Sequence, residues 1–137
     1  MNNIPTPLTL EKLIAQGGIE GSEEAYDDEH GFDYSGLDDA FLYYGGNEFS
    51  GGTPFTGFYY ELYPNGKLEL YSKYQDGLPI EDYFEFYEDG KIKTYSYFSK
   101  DRLNSYSHSF DKKGNLTLSS IWKDGKFIQE HFEENEL

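Results

Sequence analysis

The sequence predicts an all-β protein, an antiparallel β-meander of tandem 24-residue hairpin repeats with a short N-terminal helix. Three observations carry this reading. Gly66, Gly90 and Gly114 recur at a step of 24, and the same step links Leu62, Phe86 and Phe110, then Leu68, Ile92 and Leu116, then Tyr74, Phe98 and Trp122. Turn signals fall eleven to thirteen residues apart, at Gly66, Gly77, Gly90, Asp101, Gly114 and Gly125, the spacing of hairpin-connected strands. The chain holds 14 Tyr and 11 Phe in 137 residues. Such residues favour a pleated, half-buried surface and argue against disorder despite the high charge.

The elements follow in chain order. "TPLTLEKLIAQGG" reads as a short helix, with Thr6 or Thr9 as cap and Gly17-Gly18 as stop. Its apolar positions Leu10, Leu13 and Ile14 suit docking on the sheet. Residues 20–39 contain nine acids and no Lys or Arg. "AFLYYGGNEFSGG" then supplies a strand and a turn leading into the first hairpin. The chain divides into 1–54 (helix, acidic segment and lead-in strand), 55–129 (three hairpin repeats) and 130–137 (an acidic C-terminal edge strand). Charge on that last strand discourages further pairing.

Within each repeat, Asn65-Gly66, Asp89-Gly90 and Lys113-Gly114 are read as type I′ hairpin turns, where both central residues need φ > 0. Asp76-Gly77 and Asp124-Gly125 reverse the chain between hairpins. Strict alternation assigns the faces. Phe58, Tyr60 and Leu62 share the buried side with Leu68, Leu70, Ser72 and Tyr74. Phe84, Phe86, Ile92, Thr94, Ser96 and Phe98 follow in the second repeat. Tyr106, His108, Phe110, Leu116, Leu118, Ser120 and Trp122 follow in the third. Burial is expected of Phe86, Phe98, Leu116 and Trp122. Tyrosines 59, 63, 71, 83, 87, 95 and 97 fall on the opposite, solvated face. One hairpin cannot bury enough apolar area to stand alone, so each must cover the next.

Charge and composition bound the function. A formal net charge of −15 opposes binding to a nucleic acid backbone or an anionic membrane surface, and suits a basic protein partner. No apolar run reaches the eighteen residues of a membrane-spanning helix. The N-terminus lacks the basic start and apolar core of a signal peptide. The absence of cysteine fits a reducing compartment, so the expected location is the cytoplasm. No nucleophile-elbow, zinc-protease, P-loop or CxxC spacing occurs. "DDEH" (Asp27, Asp28, Glu29, His30) does not follow a calcium-loop pattern. His108 falls among aromatics on the inward face. The expectation is a non-enzyme without cofactor or metal.

The turn sequences carry a family resemblance. Phe55-Thr56-Gly57, then "YPNGKLELYSKYQDG" and two weaker copies at "YEDGKIKTYSYFSKD" and "DKKGNLTLSSIWKDG", resemble the MORN-2-type repeat of bacterial antitoxin and immunity proteins. The resemblance covers about residues 42 to 129. Glu81 and Ser105 stand where that pattern has an opening glycine, and Asp101 replaces a turn glycine. The resemblance implies a cognate toxin domain, bound and blocked by this protein. Charge points to a basic toxin such as a nuclease. The candidate contacts are Asp27, Asp28, Glu29, Asp33, Asp38 and Asp39 in the acidic stretch, and Tyr83, Tyr87 and Tyr95 on the tyrosine face. Two other readings stand beside this one. The acids alone could serve only to keep a Tyr-rich sheet in solution. The aromatic repeats could form a module for a carbohydrate or other ligand.

Overall fold

A computed structural model describes residues 4–21, 32–34, 42–44, 52–101 and 103–132, with backbone only at 32–34, 43–44 and 129–132. The protein is mostly β with one short helix, α1 (Leu10–Ala15). Eight strands form an open, mostly antiparallel sheet: β1 (Ile19–Glu20), β5 (Gly57–Leu62), β6 (Leu68–Gln75), β7 (Leu78–Phe86), β8 (Ile92–Phe98), β9 (Ser105–Phe110), β10 (Leu116–Lys123) and β11 (Lys126–Phe132). From β5 onward each strand pairs with the next in sequence. The two-residue β1 is parallel to β5, with Ile19 beside Tyr59. A second sheet joins β2 (Phe32–Tyr34), β3 (Leu42–Tyr44) and β4 (Thr53–Pro54).

Thr9 caps α1: its Oγ1 accepts from Lys12 N at 3.2 Å. Gly17 follows with φ of 82°, a left-handed stop that glycine adopts without a Cβ penalty. Leu13 is fully buried and Leu10 partly so. Ile14 is exposed, correcting its assignment to the docking stripe.

The turns correct the expected geometry. Gly66 N donates to Tyr63 O at 2.8 Å, and Tyr63 N donates to Lys67 O at 2.8 Å. Pro64, Asn65 and Gly66 therefore form a three-residue loop on a type I turn, with Gly66 left-handed at φ 87°. Proline at the second turn position and glycine at the fourth are the type I signature. Gly90 N donates to Tyr87 O and Gly114 N to Asp111 O in the same way. The pairs with two positive φ values are Asp76-Gly77 (52° and 88°) and Asp124-Gly125 (53° and 79°), which join the hairpins.

Beyond each loop one residue bulges. Leu62 faces Leu68 while Glu61 faces Leu70, leaving Glu69 extra. Lys93 and Thr117 are extra in the next two hairpins. A bulge reverses the alternation of every residue beyond it. Leu68 therefore packs with Tyr60, Tyr71, Phe84, Phe86, Tyr95 and Leu13 on the helix side of the sheet. Leu70 packs with Tyr59, Tyr74, Phe55 and Leu42 on the other side. The first hairpins are thus buried on both faces. Tyr59, Tyr71 and Tyr95 are core residues, not a solvated row.

The core thins toward β11. Across the sheet, Tyr60, Tyr71, Phe84 and Tyr95 stand opposite one another, and the row continues through His108 and Ser119 to His131. Phe86 is buried as expected. Phe98 and Leu116 are only half-buried, and Trp122 is 45% exposed. The inward set expected of residues 106–122 carries no buried member, and among the described residues neither core cluster reaches it.

Candidate functional site

Asp27, Asp28, Glu29, Asp38 and Asp39 lie outside the described residues. Asp33 centres β2, where its backbone pairs with Tyr43. The three tyrosine candidates do not make one patch. Tyr83 and Tyr95 occupy opposite faces, because the Lys93 bulge turns Tyr95 to the helix side. Tyr95 is buried, and its hydroxyl donates to Asp82 Oδ1 at 2.6 Å. Burial, reinforced by Asp82, pushes its ionisation far above the ordinary tyrosine value. So placed, Tyr95 offers almost no surface to a partner.

Tyr83 is half-buried and donates to Glu85 Oε2 at 2.9 Å. Tyr87 is half-buried and donates to Phe110 O at 2.8 Å. Tyr63 makes the equivalent bond to Phe86 O at 2.6 Å. The Tyr63 and Tyr87 phenols tie the first two hairpin turns to the end of the next strand pair's first strand. Lys93 and Lys112 Nζ lie 5.8 and 5.9 Å from the Tyr87 ring centre, within cation–π range. Together with Tyr63, Glu88 and Asp89 they line an open groove of about 500 Å³. Its polar rim mixes both charges, so it favours no single ion.

Beside it, Glu69 is pushed above the ordinary carboxylate range by burial and by the Glu61 and Glu85 carboxylates. His108 is held below the ordinary imidazole value by burial, with Nδ1 3.1 Å from Ser119 Oγ. Among the described residues no three His, Asp or Glu side chains are grouped to hold a metal ion, and the "DDEH" stretch lies outside them.

The most exposed apolar surface lies elsewhere, on the last two hairpins. Leu103, Tyr106, Ile121, Trp122, Phe127 and Ile128 are all exposed. Trp122 and Phe127 are cross-strand neighbours in edge-to-face contact, with ring centres 5.5 Å apart. Sequence reasoning placed Trp122 in the core because it shares the 24-residue step with Tyr74. The contrary signal was the run of small residues around it. Ser105, Ser107, Ser109, Ser119 and Ser120 occupy strands whose counterparts carry large aromatics. Residues 99–128 also hold six basic side chains against three acids, in an otherwise acidic chain.

Comparison of the chain with family models, with curated proteins and with solved structures found no match.

Proposed function

We propose that this chain is a binding protein of the toxin–immunity kind, acting in the cytoplasm without chemistry of its own. It neutralises a toxin domain by covering that domain's active surface. One observation carries the reading: a sheet sealed on both faces at one end presents Trp122, Phe127 and Leu103 to solvent at the other. Clustered exposed aromatics and aliphatics mark protein contact surfaces. The MORN-2-type turn sequences and the net charge of −15 support it. We further read the hairpins as tandem copies of one 24-residue unit forming a meander. The recurring turn bonds and bulges favour that reading.

The test is co-purification with the toxin domain encoded beside this protein, and rescue of cells expressing that toxin. A toxin that is neither bound nor neutralised removes the proposal. If the acidic stretch steers association, the rate falls steeply with salt, because screening shortens to about 8 Å at physiological ionic strength. Asp27→Asn, Asp28→Asn and Glu29→Gln together then slow association and leave the fold intact. A carbohydrate-binding reading is favoured by one observation, the serine hydroxyls at 105 and 120 that border Trp122 on its own face. Saturable quenching of Trp122 by a glycan would support that reading.

A further inference from the structure

The seat of Leu42 is built twice. In the first hairpin Tyr74 pairs with Gly57 on one side and Pro79 on the other, beside the Asp76-Gly77 turn. In the last hairpin Trp122 pairs with Ser105 and Phe127, beside the Asp124-Gly125 turn. Every position is displaced by 48 residues. The hydrogen bonds repeat with the same displacement. Gly77 N donates to Phe55 O at 2.8 Å, and Gly125 N donates to Leu103 O at 2.8 Å. Asp76 N donates to Thr56 Oγ1 at 2.9 Å, and Asp124 N donates to Asn104 Oδ1 at 3.2 Å. One backbone frame carries Phe55 and Tyr74 in its first copy, and Leu103 and Trp122 in its second.

The two copies differ in what covers them. Strand β3 lies on the first. Leu42 N donates to Gly77 O at 2.7 Å, and Leu42 O accepts from Phe55 N at 2.9 Å. The Leu42 side chain is fully buried among Phe55, Tyr59 and Tyr74, and those flanking rings Phe55 and Tyr74 are each only 6% exposed. On the second copy, Leu103 and Trp122 are each 45% exposed. Among the described residues no group donates to the Gly125 carbonyl. The Leu103 N–H is held by Asp101 Oδ1 at 3.0 Å, so a carboxylate plays the part of the Leu42 carbonyl.

We propose that Leu103, Trp122 and Gly125 form a docking site for an extended segment of a partner protein, which seats one aliphatic side chain as Leu42 seats in the first copy. The segment's backbone N–H bonds to the Gly125 carbonyl, and its anchor packs between Leu103 and the Trp122 indole. Ser107 stands where the first copy has Tyr59, so the second floor admits an anchor of leucine size or larger. Exposed Lys100, Lys123 and Lys126 lie within three positions of Leu103, Trp122 or Gly125 in the sequence, against Asp101 and Asp124, and this local excess of base favours acidic residues beside the anchor. The segment that fills the first seat has this chemistry: Asp38-Asp39 precede Leu42 in the sequence. The inference rests on the reading of the chain as a protein-binding module, and not on the partner being a toxin.

Trp122 is the only tryptophan, so its emission reports on the site directly. The probe is a synthetic peptide, Asp-Asp-Ala-Phe-Leu-Tyr-Tyr, titrated into the full-length protein with indole-selective excitation. A saturable blue shift is expected. Leucine to alanine in the peptide, or Leu103→Ser in the protein, weakens binding about tenfold or more, the scale set by burying one aliphatic side chain. Ile14→Ser, on the helix, leaves binding unchanged. Leu103 is half out of the fold, and unchanged circular dichroism of Leu103→Ser confirms that the variant folds. Absence of a saturable shift, or a shift indifferent to Leu103→Ser, overturns the proposal. Sedimentation showing a dimer that Leu103→Ser dissolves also overturns it, because the occupant is then a second copy. If the peptide fails while the neighbouring toxin still binds the Leu103→Ser protein normally, this site falls and the immunity reading stands. If the peptide binds and the toxin does not, the reverse holds.

Discussion

Tyr71 joins two distant parts of the chain through one oxygen. Its hydroxyl accepts from Leu8 N at 2.8 Å, holding the segment before α1 against the sheet. Burial pushes its pKa up to about 12. A phenol whose folded pKa is raised contributes fully below the ordinary value near 10 and is lost as pH rises through about 12. Phenolate absorbance from Tyr71 should therefore appear only near that pH. Tyr71→Phe should cost about 1–2 kcal/mol, because it strips a part-buried N–H of its acceptor. Thermal unfolding and hydrogen exchange at Leu8 check this. Asp111 has the opposite sign. Its carboxylate accepts from the backbone N–H groups of Asn115 and Lys113, each at 2.9 Å, and these bonds hold its pKa below the ordinary value. Its stabilisation is present above the ordinary carboxylate value and lost as pH falls through the lower folded value. On acidification, amide protection at Lys113 should fall while that at Lys67 persists, since Lys67 N is capped by the non-titrating Asn65 Oδ1. The Thr9 cap and the turn glycines were legible in the sequence, because each acts on its own neighbours. The tyrosine bonds were not, because their partners lie 23 and 63 positions away.

At the scale of the hairpin, strands and turns were legible and faces were not. Period-two alternation holds only while the ladder is regular, and Glu69, Lys93 and Thr117 each break it once. Nothing in a charged or hydroxylated residue beyond a glycine loop announces a bulge. The proline of "YPNG" suits the second position of the type I turn that forms, a signal that the type I′ reading of Asn65-Gly66 passed over. Gly66→Val should cost on the order of 1 kcal/mol or more. No atom lies within 4 Å of an added Cβ, so the cost is conformational, arising from φ of 87°. Urea unfolding checks it, and unchanged stability would mean that the loop refolds into another turn. Phe86→Ala should destabilise by roughly 3–5 kcal/mol, because Phe86 packs against Phe84 and Tyr71 in the helix-side core. Glu81 adopts φ of 60°, a left-handed conformation uncommon outside glycine. Its carboxylate lies 3.4 Å from Lys73 and 3.8 Å from Lys100.

Across the whole molecule the two ends differ in cover and in charge. The single tryptophan should emit near the wavelength of solvent-exposed indole in the native protein, which reverses the expectation from the 24-residue step. A strongly blue native emission would contradict the exposed end. Sequence periodicity links the hairpins to one another; it could not show that, among the described residues, the first ones are covered and the last are exposed, because the covering segments come from outside the period. The edges of the main sheet also differ. One is closed by the two-residue β1, and the other is the seven-residue β11. Among the described strands β11 is paired on one side only, which leaves the sheet a direction of growth. Added 24-residue units would be accommodated before β11 without disturbing α1 or the small sheet, each unit lengthening the molecule by two strand spacings, roughly 9–10 Å. Duplicating residues 77–100 in tandem should leave a folded protein whose maximum dimension in solution scattering increases by that step. On this view chain length acts as a ruler, setting how far apart the covered end and the tryptophan end can reach across whatever they span.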